Sequence, residues 1–298
     1  MNAAAVEIDG SRSATSRERA LAFFELTKPR IAFMLILTAA AGFYLGSTGF
    51  DVTLFLNSMV GIGLLAFGVA TLNQYLERHT DVLMKRTSTR PLPTGRITPA
   101  EALIFGIVQC VAAEAYIFFF VNALTAILGV VVIVGYVLVY TPLKRYTSAS
   151  TAIGAIPGAL PPLMGWTAAA NEVTIGAWAV FVIQFLWQFP HFLSIAWLYR
   201  EEYAKAGIRM LPVVEPEGRL TAQQIVLFTV MLVPVSLAPF FFGMAGPLYL
   251  VGASILGVWF LWASIRTARS KSNESARKLL MVSVIYLPLL FVLLVISH

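Results

Sequence analysis

Three polar residues spaced four apart are the first feature of this sequence that could do chemistry. Asn73, Glu77 and Asp81 recur at the spacing that keeps side chains on one face of a helix. Three basic residues follow them: Lys85, Arg86 and Arg90. Mg²⁺ takes oxygen ligands, commonly one or two carboxylates together with substrate phosphates, and basic side chains suit the remaining phosphate oxygens. The pattern therefore predicts a site for Mg²⁺ and a diphosphate; the alternative is a helix end braced by ion pairs.

A second polar group lies within an apolar stretch that is interrupted by a proline. Its members are Gln184, Trp187, Gln188, Pro190 and His191, followed by Trp197, Tyr199, Arg200, Glu201, Glu202 and Tyr203. A histidine inside a membrane span is costly against lipid, so His191 is expected to face the bundle interior or a cavity. The alternative is a structural hydrogen bond between this histidine and a glutamine of another helix.

Two adjacent cations, Lys144 and Arg145, follow the sequence Tyr-Thr-Pro-Leu at 140–143. At a membrane surface they could reach a phosphate or a carboxylate, or they could simply anchor the end of a span. Glycine and proline are dense from 154 to 165. We expect them to bend or break the span that contains them, as happens where backbone lines a cavity.

The elements that position these residues are predicted to be membrane-spanning helices. Hydrophobic residues make up 58% of the 298 residues and charged residues 12%, too few charges to coat a soluble domain. Each spanning helix needs about 20 apolar residues. We predict an all-α, polytopic bundle of about nine transmembrane helices, with seven or eight as the alternatives if the short fourth and fifth spans merge or drop out. The spans are 31–50, 54–76, 100–120, 123–140, 152–169, 175–198, 223–243, 247–265 and 279–297.

The basic residues predict the orientation. With nine spans, all 21 Lys and Arg fall on one side, which the positive-inside rule makes cytoplasmic. The N-terminus is then cytoplasmic and the C-terminus periplasmic. The net charge of +6 is thus an orientation signal, and we expect no binding to nucleic acid. The N-terminal residues lack a secretory signal pattern and contain too many acids for a transit peptide, which favours a bacterial inner membrane.

An internal repeat is predicted between two polar segments. Arg90-Pro-Leu-Pro, followed by Gly-Arg-Ile-Thr-x-x-Glu, is similar to Arg209-Met-Leu-Pro, followed by Gly-Arg-Leu-Thr-x-x-Gln. Both segments end in a pattern typical of a capping box, so Thr98 and Thr221 are each expected to begin a helix. An even number of spans separates the copies, which predicts a parallel repeat with a site between them.

The motif from Asn73 to Leu92, Asn-x-x-x-Glu-x-x-x-Asp-x-x-Met-x-Arg-Thr-x-x-Arg-Pro-Leu, resembles the first polar motif of the UbiA-type intramembrane prenyltransferases. The stretches at 140–145, 161–166, 187–192 and 203–208 are similar to the heme O synthase branch of that superfamily. The resemblance begins at Thr27. It implies a UbiA-like bundle around a central cavity, with residues 1–26 as an N-terminal cytoplasmic segment and 27–298 as a single transmembrane prenyltransferase domain.

The resemblance implies that farnesyl diphosphate is the prenyl donor, that heme b is the acceptor and that Mg²⁺ is the cofactor. The product would be heme O for heme-copper oxidase biogenesis, with heme A synthase or oxidase assembly proteins as further partners. Carried over, Asn73, Glu77 and Asp81 hold the metal, and His191 acts at the heme iron, at a propionate or in proton transfer. The residues expected to bind substrate are Lys85, Arg86, Arg90, Lys144, Arg145, Trp187, Gln188, Tyr199, Arg200 and Tyr203.

One departure from the superfamily concerns the sixth span. Many relatives that prenylate aromatic acids carry a second Asp-rich motif there, whereas this sequence has no acid before Glu201. A symmetrical metal cluster is therefore in doubt. Prenylation of a quinone precursor such as 4-hydroxybenzoate remains an alternative function, and solute transport is a further one that the one-sided polar groups disfavour.

Overall fold

The computed structural model describes residues 15–298, and these residues form helices and connecting turns without a strand. The helices are α1 (Ser16–Leu26), α2 (Pro29–Gly46), α3 (Val52–Asp81), α4 (Pro99–Phe120), α5 (Ala123–Val132), α6 (Thr141–Leu143), α7 (Ser150–Gly158), α8 (Leu160–Ala170), α9 (Ile175–Leu198), α10 (Arg200–Lys205), α11 (Leu211–Val214), α12 (Arg219–Phe241), α13 (Pro247–Ser270) and α14 (Asn273–Ile296). A π-helical stretch, Ile133–Tyr140, joins α5 to α6. The predicted all-α fold is confirmed.

Eight helical segments in the described part of the chain are long and apolar enough to cross a membrane, if α5, the π-helical stretch and α6 are counted as one segment, Ala123–Leu143. The remaining predicted span, 152–169, is folded as two consecutive helices, α7 and α8, which meet at Ala159. Pro161 and Pro162 lie in the first turn of α8, where their missing N–H groups cost no helical hydrogen bond. The predicted break in this span is therefore present, and about nine spans fits the structure.

The long helices pack in a closed series. α2 contacts α3, α3 contacts α4, and the series continues through α5, α8, α9, α12, α13 and α14 back to α2. The backbones of α2 and α8 approach closely, because a Cβ on Gly42 would lie 2.0 Å from the Pro162 carbonyl oxygen. A Cβ on Gly165 would similarly lie 1.9 Å from the Ala39 oxygen. Small residues at these crossings allow the two helix backbones to pack directly against each other, as is common between membrane helices.

The polar segments 82–98 and 199–218 meet at one end of the bundle. Met84 from the first segment packs into a small apolar cluster formed mainly by the second, with Ala196, Tyr203, Ala206, Ile208 and Met210. The C-terminus lies at the other end, where the Gly246 N–H donates to the Ser297 carbonyl oxygen at 2.9 Å. The two predicted repeat segments therefore form one surface, at the end of the bundle where α3 and α9 terminate.

The predicted capping boxes differ. Thr98 forms one with Glu101 at the start of α4, as expected. The prediction for Thr221 is wrong, because α12 begins earlier, at Arg219, with Gly218 as its N-cap. The Glu215 carboxylate accepts a hydrogen bond from the Arg219 N–H at 2.8 Å. A free N–H group in the first turn of α12 is thus paired with a residue outside the predicted motif.

Candidate active site

The three-residue row lies on the last turns of α3, whose helix continues past the predicted end of the span to Asp81. Asn73 and Asp81 are buried and Glu77 is half-buried. Because α3 stays helical throughout, the spacing of four keeps the three oxygen-bearing groups on one face. We refer to Asn73, Glu77 and Asp81 as the acidic row.

Each member of the acidic row contacts a different cation. Arg90 Nη1 lies 2.8 Å from Asp81 Oδ2, and Lys144 Nζ lies 2.6 Å from Glu77 Oε1. The third cation, Lys28, comes from the junction between α1 and α2, and its Nζ lies 2.6 Å from Asn73 Oδ1. Three separate segments of the chain thus deliver positive charge to one helix face.

Lys28 contacts the acidic row but was not among the site residues that the sequence predicted. Its ammonium is close enough to Glu77, Asp81, Arg90 and Lys144 for their charges to act on it. Burial, reinforced by the charge of Arg90, lowers the pKa of Lys28 to about 7. A bound anion would favour the charged form of this lysine. The only sequence signal was a lysine immediately before the first span, which the positive-inside rule explains equally well.

The pair of Lys144 and Glu77 is well enclosed, with side chains 12% and 14% exposed. Burial opposes the charge on Lys144, but the Glu77 carboxylate together with Tyr140 and Tyr136 outweighs burial and holds the pKa of Lys144 well above its usual value. The ammonium also lies 4.4 Å from the centre of the Tyr140 ring, a cation–π distance. Lys144 is therefore a fixed cation of the site.

The donor set of the acidic row fits Mg²⁺ held mainly through a substrate. Within residues 15–298 no three His, Cys, Asp or Glu side chains cluster closely enough to hold a metal ion on their own. The acidic row itself offers two carboxylates and one amide oxygen. Asp81 Oδ1 is buried and has no hydrogen-bond partner in that range, which leaves it available as a ligand. Such a set suits a cation that keeps its waters and takes phosphate oxygens, and not an all-protein cage.

A pocket of about 230 Å³ reaches the Glu77–Lys144 pair from outside. Its lining residues are Leu76, Glu77, His79, Thr80, Thr141, Pro142, Lys144, Arg145, Tyr146 and Ile208. Arg145 is exposed at this pocket, whereas Lys144 is turned inward. The two adjacent cations predicted together therefore have different environments.

Arg86 does not approach the acidic row in the structure. Its guanidinium lies over the Tyr199 ring at 4.5 Å, and its Nη2 donates to the Tyr203 hydroxyl at 3.0 Å. Its backbone N–H donates to Glu202 Oε2 at 3.1 Å. Arg86 thus joins the two polar segments. Lys85, beside it, is exposed.

Gln188 and Gln184 hold the backbone of α7. Gln188 Nε2 donates to the Ala155 carbonyl oxygen and Gln184 Nε2 to the Gly158 oxygen, both at 3.0 Å. A Cβ on Gly158 would lie 2.2 Å from Gln188 Oε1, so only glycine allows this close contact. These bonds pair backbone carbonyl oxygens near the break between α7 and α8. The Gln188 amide nitrogen therefore bonds the backbone of α7 in this structure.

His191 lies against α14. Its Nδ1 is 2.9 Å from the Ser283 hydroxyl, and its ring stacks on Trp187 with centroids 4.7 Å apart. Trp187 Nε1 in turn donates to the Ser283 carbonyl oxygen at 2.7 Å. The partner of the histidine is thus a serine and not a glutamine. Its Nε2 makes no hydrogen bond within the described residues, so that nitrogen can face a ligand.

Arg200 is also used between helices. Its Nη1 donates to the Trp197 carbonyl oxygen at 2.7 Å and to Asn273 Oδ1 at 2.8 Å, which ties the end of α9 to the start of α14. Its guanidinium lies 4.7 Å from the centre of the Trp197 ring. Of the predicted substrate-binding cations, Arg90 and Lys144 reach the acidic row, while Arg86 and Arg200 brace its surroundings.

The chain is similar to known proteins both in sequence and in fold. The sequence profile of the UbiA prenyltransferase family matches residues 35–292. The protoheme IX farnesyltransferase of Solibacter usitatus is 46% identical over 286 residues, which cover 93% of this chain and 98% of the relative. That of Salinibacter ruber is 47% identical over 273 residues, covering 91% and 96%.

Solved structures share the fold at low identity. A structure of digeranylgeranylglyceryl phosphate synthase matches with a TM-score of 0.79 at 18% identity, covering 94% of this chain and 98% of that one. A UbiA homolog from Archaeoglobus fulgidus bound to GPP and Mg²⁺ matches with a TM-score of 0.67 at 19% identity, covering 93% and 100%. At these identities the likeness establishes the architecture of the helical bundle.

Proposed function

The chain belongs to the UbiA prenyltransferase family, and we propose that it transfers the farnesyl group of farnesyl diphosphate to a vinyl group of heme b, giving heme O. The observation that carries this proposal is the near full-length identity of 46% to a protoheme IX farnesyltransferase. The cation-paired acidic row is the site at which such an enzyme would take a prenyl diphosphate. The protein is accordingly a membrane-embedded prenyltransferase.

We assign the diphosphate site to the end of α3. Glu77 and Asp81, with the Asn73 amide oxygen, would hold Mg²⁺, which supplies charge neutralisation to a departing diphosphate. Arg90 and Lys144 already lie at this position and contribute fixed positive charge where negative charge develops, and Lys28 lies beside them as a lysine whose charged form a bound anion would favour. Such preorganised charges lower the barrier because they need not reorient during the reaction.

Aromatic rings lie next to these cations. The Tyr136 and Tyr140 rings are 5.0 Å apart, and Lys144 lies over the second. A Cβ on Gly154 would come within 2.3 Å of the Tyr140 ring, so the absence of a side chain at this position leaves room for the ring. The electron-rich ring faces are suited to the allylic cation that forms as the bond from C1 to oxygen breaks.

The transfer is balanced by one water. The vinyl electron pair of the porphyrin attacks C1 of the farnesyl group and forms the new carbon–carbon bond as diphosphate leaves. The remaining vinyl carbon becomes electron-deficient, takes the oxygen of water and loses a proton, which gives the hydroxyethylfarnesyl group. His191, held by Ser283 and Trp187 with Nε2 available, is our candidate for contact with the acceptor, at its iron, at a propionate or in proton transfer.

We further propose that the end of the bundle with the acidic row is cytoplasmic, in a bacterial inner membrane. The support is that every Lys and Arg falls in the segments assigned to that side. The N-terminus is then cytoplasmic and the C-terminus periplasmic, and residues 27–298 act as one prenyltransferase domain. The product would pass to heme A synthase or to proteins that assemble the heme-copper oxidase.

The test is an assay of the purified protein with farnesyl diphosphate, Mg²⁺ and either heme b or 4-hydroxybenzoate as acceptor. We expect heme O, identified by mass, with no prenylated benzoate. Turnover of 4-hydroxybenzoate without turnover of heme b would assign the protein to quinone biosynthesis instead. Failure of both acceptors in a folded preparation that binds neither heme nor farnesyl diphosphate would reject the proposal.

A further inference from the structure

The corner between α1 and α2 holds Lys28 in an uncommon backbone conformation. Its φ of 48° lies in the left-handed region, which is disfavoured for a residue that carries a side chain. The Lys28 N–H donates to the Glu25 carbonyl oxygen at 3.2 Å, and the Lys28 carbonyl oxygen accepts the Ile31 N–H at 2.9 Å. A conformation of this kind persists only where the surroundings hold it, and such residues concentrate at functional sites.

Two ion pairs hold α1 against the rest of the protein. Arg96 Nη1 lies 2.8 Å from Glu25 Oε2, and Arg19 pairs with Glu101. Their side chains are substantially exposed, so these pairs contribute little on their own. Leu26 is fully buried in a cluster formed with the segment that leads into α4.

Gln74 is the buried connection between this corner and the acidic row. It follows Asn73 on α3, is only 2% exposed, and donates from Nε2 to the Leu26 oxygen at 2.9 Å and to the Glu25 oxygen at 3.3 Å. Because both partners are acceptors, the amide nitrogen must point at α1. Neighbouring residues of one helix thus hold this corner at two points: Asn73 contacts the Lys28 ammonium, and Gln74 contacts the backbone two and three residues before Lys28.

We propose that Gln74 is a positioning residue of the prenyl-diphosphate site, which fixes the last carbonyls of α1 so that Lys28 is delivered to the acidic row. The inference rests on the diphosphate site proposed above. Without the two donated bonds, Lys28 can relax towards the right-handed region, and its ammonium then moves away from Asn73. The helix α1, outside the bundle, becomes part of the machinery that binds substrate.

The test compares Gln74→Leu with Gln109→Leu, a matched change of a buried glutamine on α4 that is contacted by Thr71 and not by α1. Binding of inorganic pyrophosphate in the presence of Mg²⁺ is measured by calorimetry, and heme b binding by absorbance. Gln74→Leu removes both donated bonds, and because they act on the site only through Lys28 we expect it to weaken pyrophosphate binding roughly 3- to 10-fold, about the net worth of a single hydrogen bond. Heme binding should be unchanged, and Gln109→Leu should alter neither affinity.

A double-mutant cycle with Lys28→Met distinguishes positioning from general stability. If Gln74 acts through Lys28, the double variant should bind pyrophosphate no more weakly than Lys28→Met alone. Gln74→Met is the second variant, for use if Gln74→Leu does not fold. Additive losses, or equal losses of pyrophosphate and heme binding, would overturn the positioning role.

The same measurements separate this inference from the proposed function. If Lys28→Met binds pyrophosphate as tightly as the unaltered protein, Lys28 is not a diphosphate ligand and the positioning role of Gln74 is rejected. Heme farnesylation is decided independently by the two-acceptor assay. A protein that makes heme O but shows no effect of Gln74→Leu on pyrophosphate affinity would retain its function and lose this inference alone.

Discussion

The ends of α3 and α9 have the same place in the predicted repeat but carry different chemistry. Each helix runs into a long polar segment that returns to the next long helix, α4 or α12. Asp81, Glu77 and Asn73 lie 9, 13 and 17 residues before Arg90. The residues 9, 13 and 17 positions before Arg209 are Arg200, Ala196 and Phe192. The second copy therefore has no acids at the matching positions.

The difference shows how one architecture serves two roles. At the end of α3, polar groups are paired with cations that a phosphate ligand can recruit. At α9, the polar groups face other helices, with Gln188 on α7 and His191 on α14. We therefore propose that the prenyl donor binds at the first copy, and that the second copy provides structure and the contact with the acceptor.

The largest effect is expected from the acidic row itself. Glu77→Gln and Asp81→Asn each remove a proposed metal ligand at nearly constant volume, and we expect turnover to fall roughly 100-fold or more, as when charge stabilisation of a leaving group is lost. Glu201→Gln, an acid of the second copy, is the matched control and should retain activity. Heme O formation is measured by chromatography and folding by thermal unfolding in detergent. Activity in both row variants at the level of the control would reduce the row to a helix end.

A second contrast uses the two repeat arginines. Arg90 is bonded to the buried Asp81, whereas Arg209 is exposed and contributes its backbone N–H to the Lys144 carbonyl oxygen at 2.8 Å. Losing a charge-assisted hydrogen bond costs about 1.5–3 kcal/mol, so Arg90→Gln should weaken farnesyl diphosphate binding roughly 10- to 100-fold. Arg209→Gln should change it less than about 2-fold, because only a side chain outside the row is altered. The affinity of both variants for farnesyl diphosphate is measured by calorimetry. Equal losses of affinity in the two variants would mean that both copies bind the diphosphate.

The smallest effect concerns stability alone. Gly158→Ala would place a methyl group against Gln188 Oε1, and overpacking of this kind costs about 1–3 kcal/mol. We expect a lower unfolding temperature with the affinity for farnesyl diphosphate unchanged. Gly49→Ala is the control, since nothing lies within 4 Å of the added carbon. If Gly158→Ala instead changes diphosphate affinity without loss of stability, Gln188 belongs to the substrate site, as the sequence first suggested.

Much of the fold was predictable because its signals are local. Apolar runs define the spans, the spacing of Asn73, Glu77 and Asp81 defines their shared face, and the prolines after Ala159 predict the break between α7 and α8. The start of α12 was not predictable in this way. The partner of its first N–H groups is Glu215, which lies outside the capping pattern.

The site was only partly predictable because its contacts join distant segments. The pairing of Lys28 with Asn73 depends on how α1 docks and on a left-handed backbone, neither of which leaves a pattern in the sequence. Arg86 follows the acidic row in sequence, yet it stacks on Tyr199 from the other repeat copy. The motif thus predicts the type of site, and tertiary packing determines which cations lie at the acidic row.

The division between the two copies is tested most directly by measuring two affinities on two variants. Farnesyl diphosphate binding is measured by calorimetry and heme b binding by absorbance, each on Arg90→Gln and on His191→Ala. The account predicts a crossed result: Arg90→Gln weakens farnesyl diphosphate binding and leaves heme binding unchanged, whereas His191→Ala weakens heme binding and leaves farnesyl diphosphate binding unchanged. If His191→Ala loses the diphosphate ligand while the heme spectrum and affinity are unchanged, the assignment of donor and acceptor to the two copies is wrong.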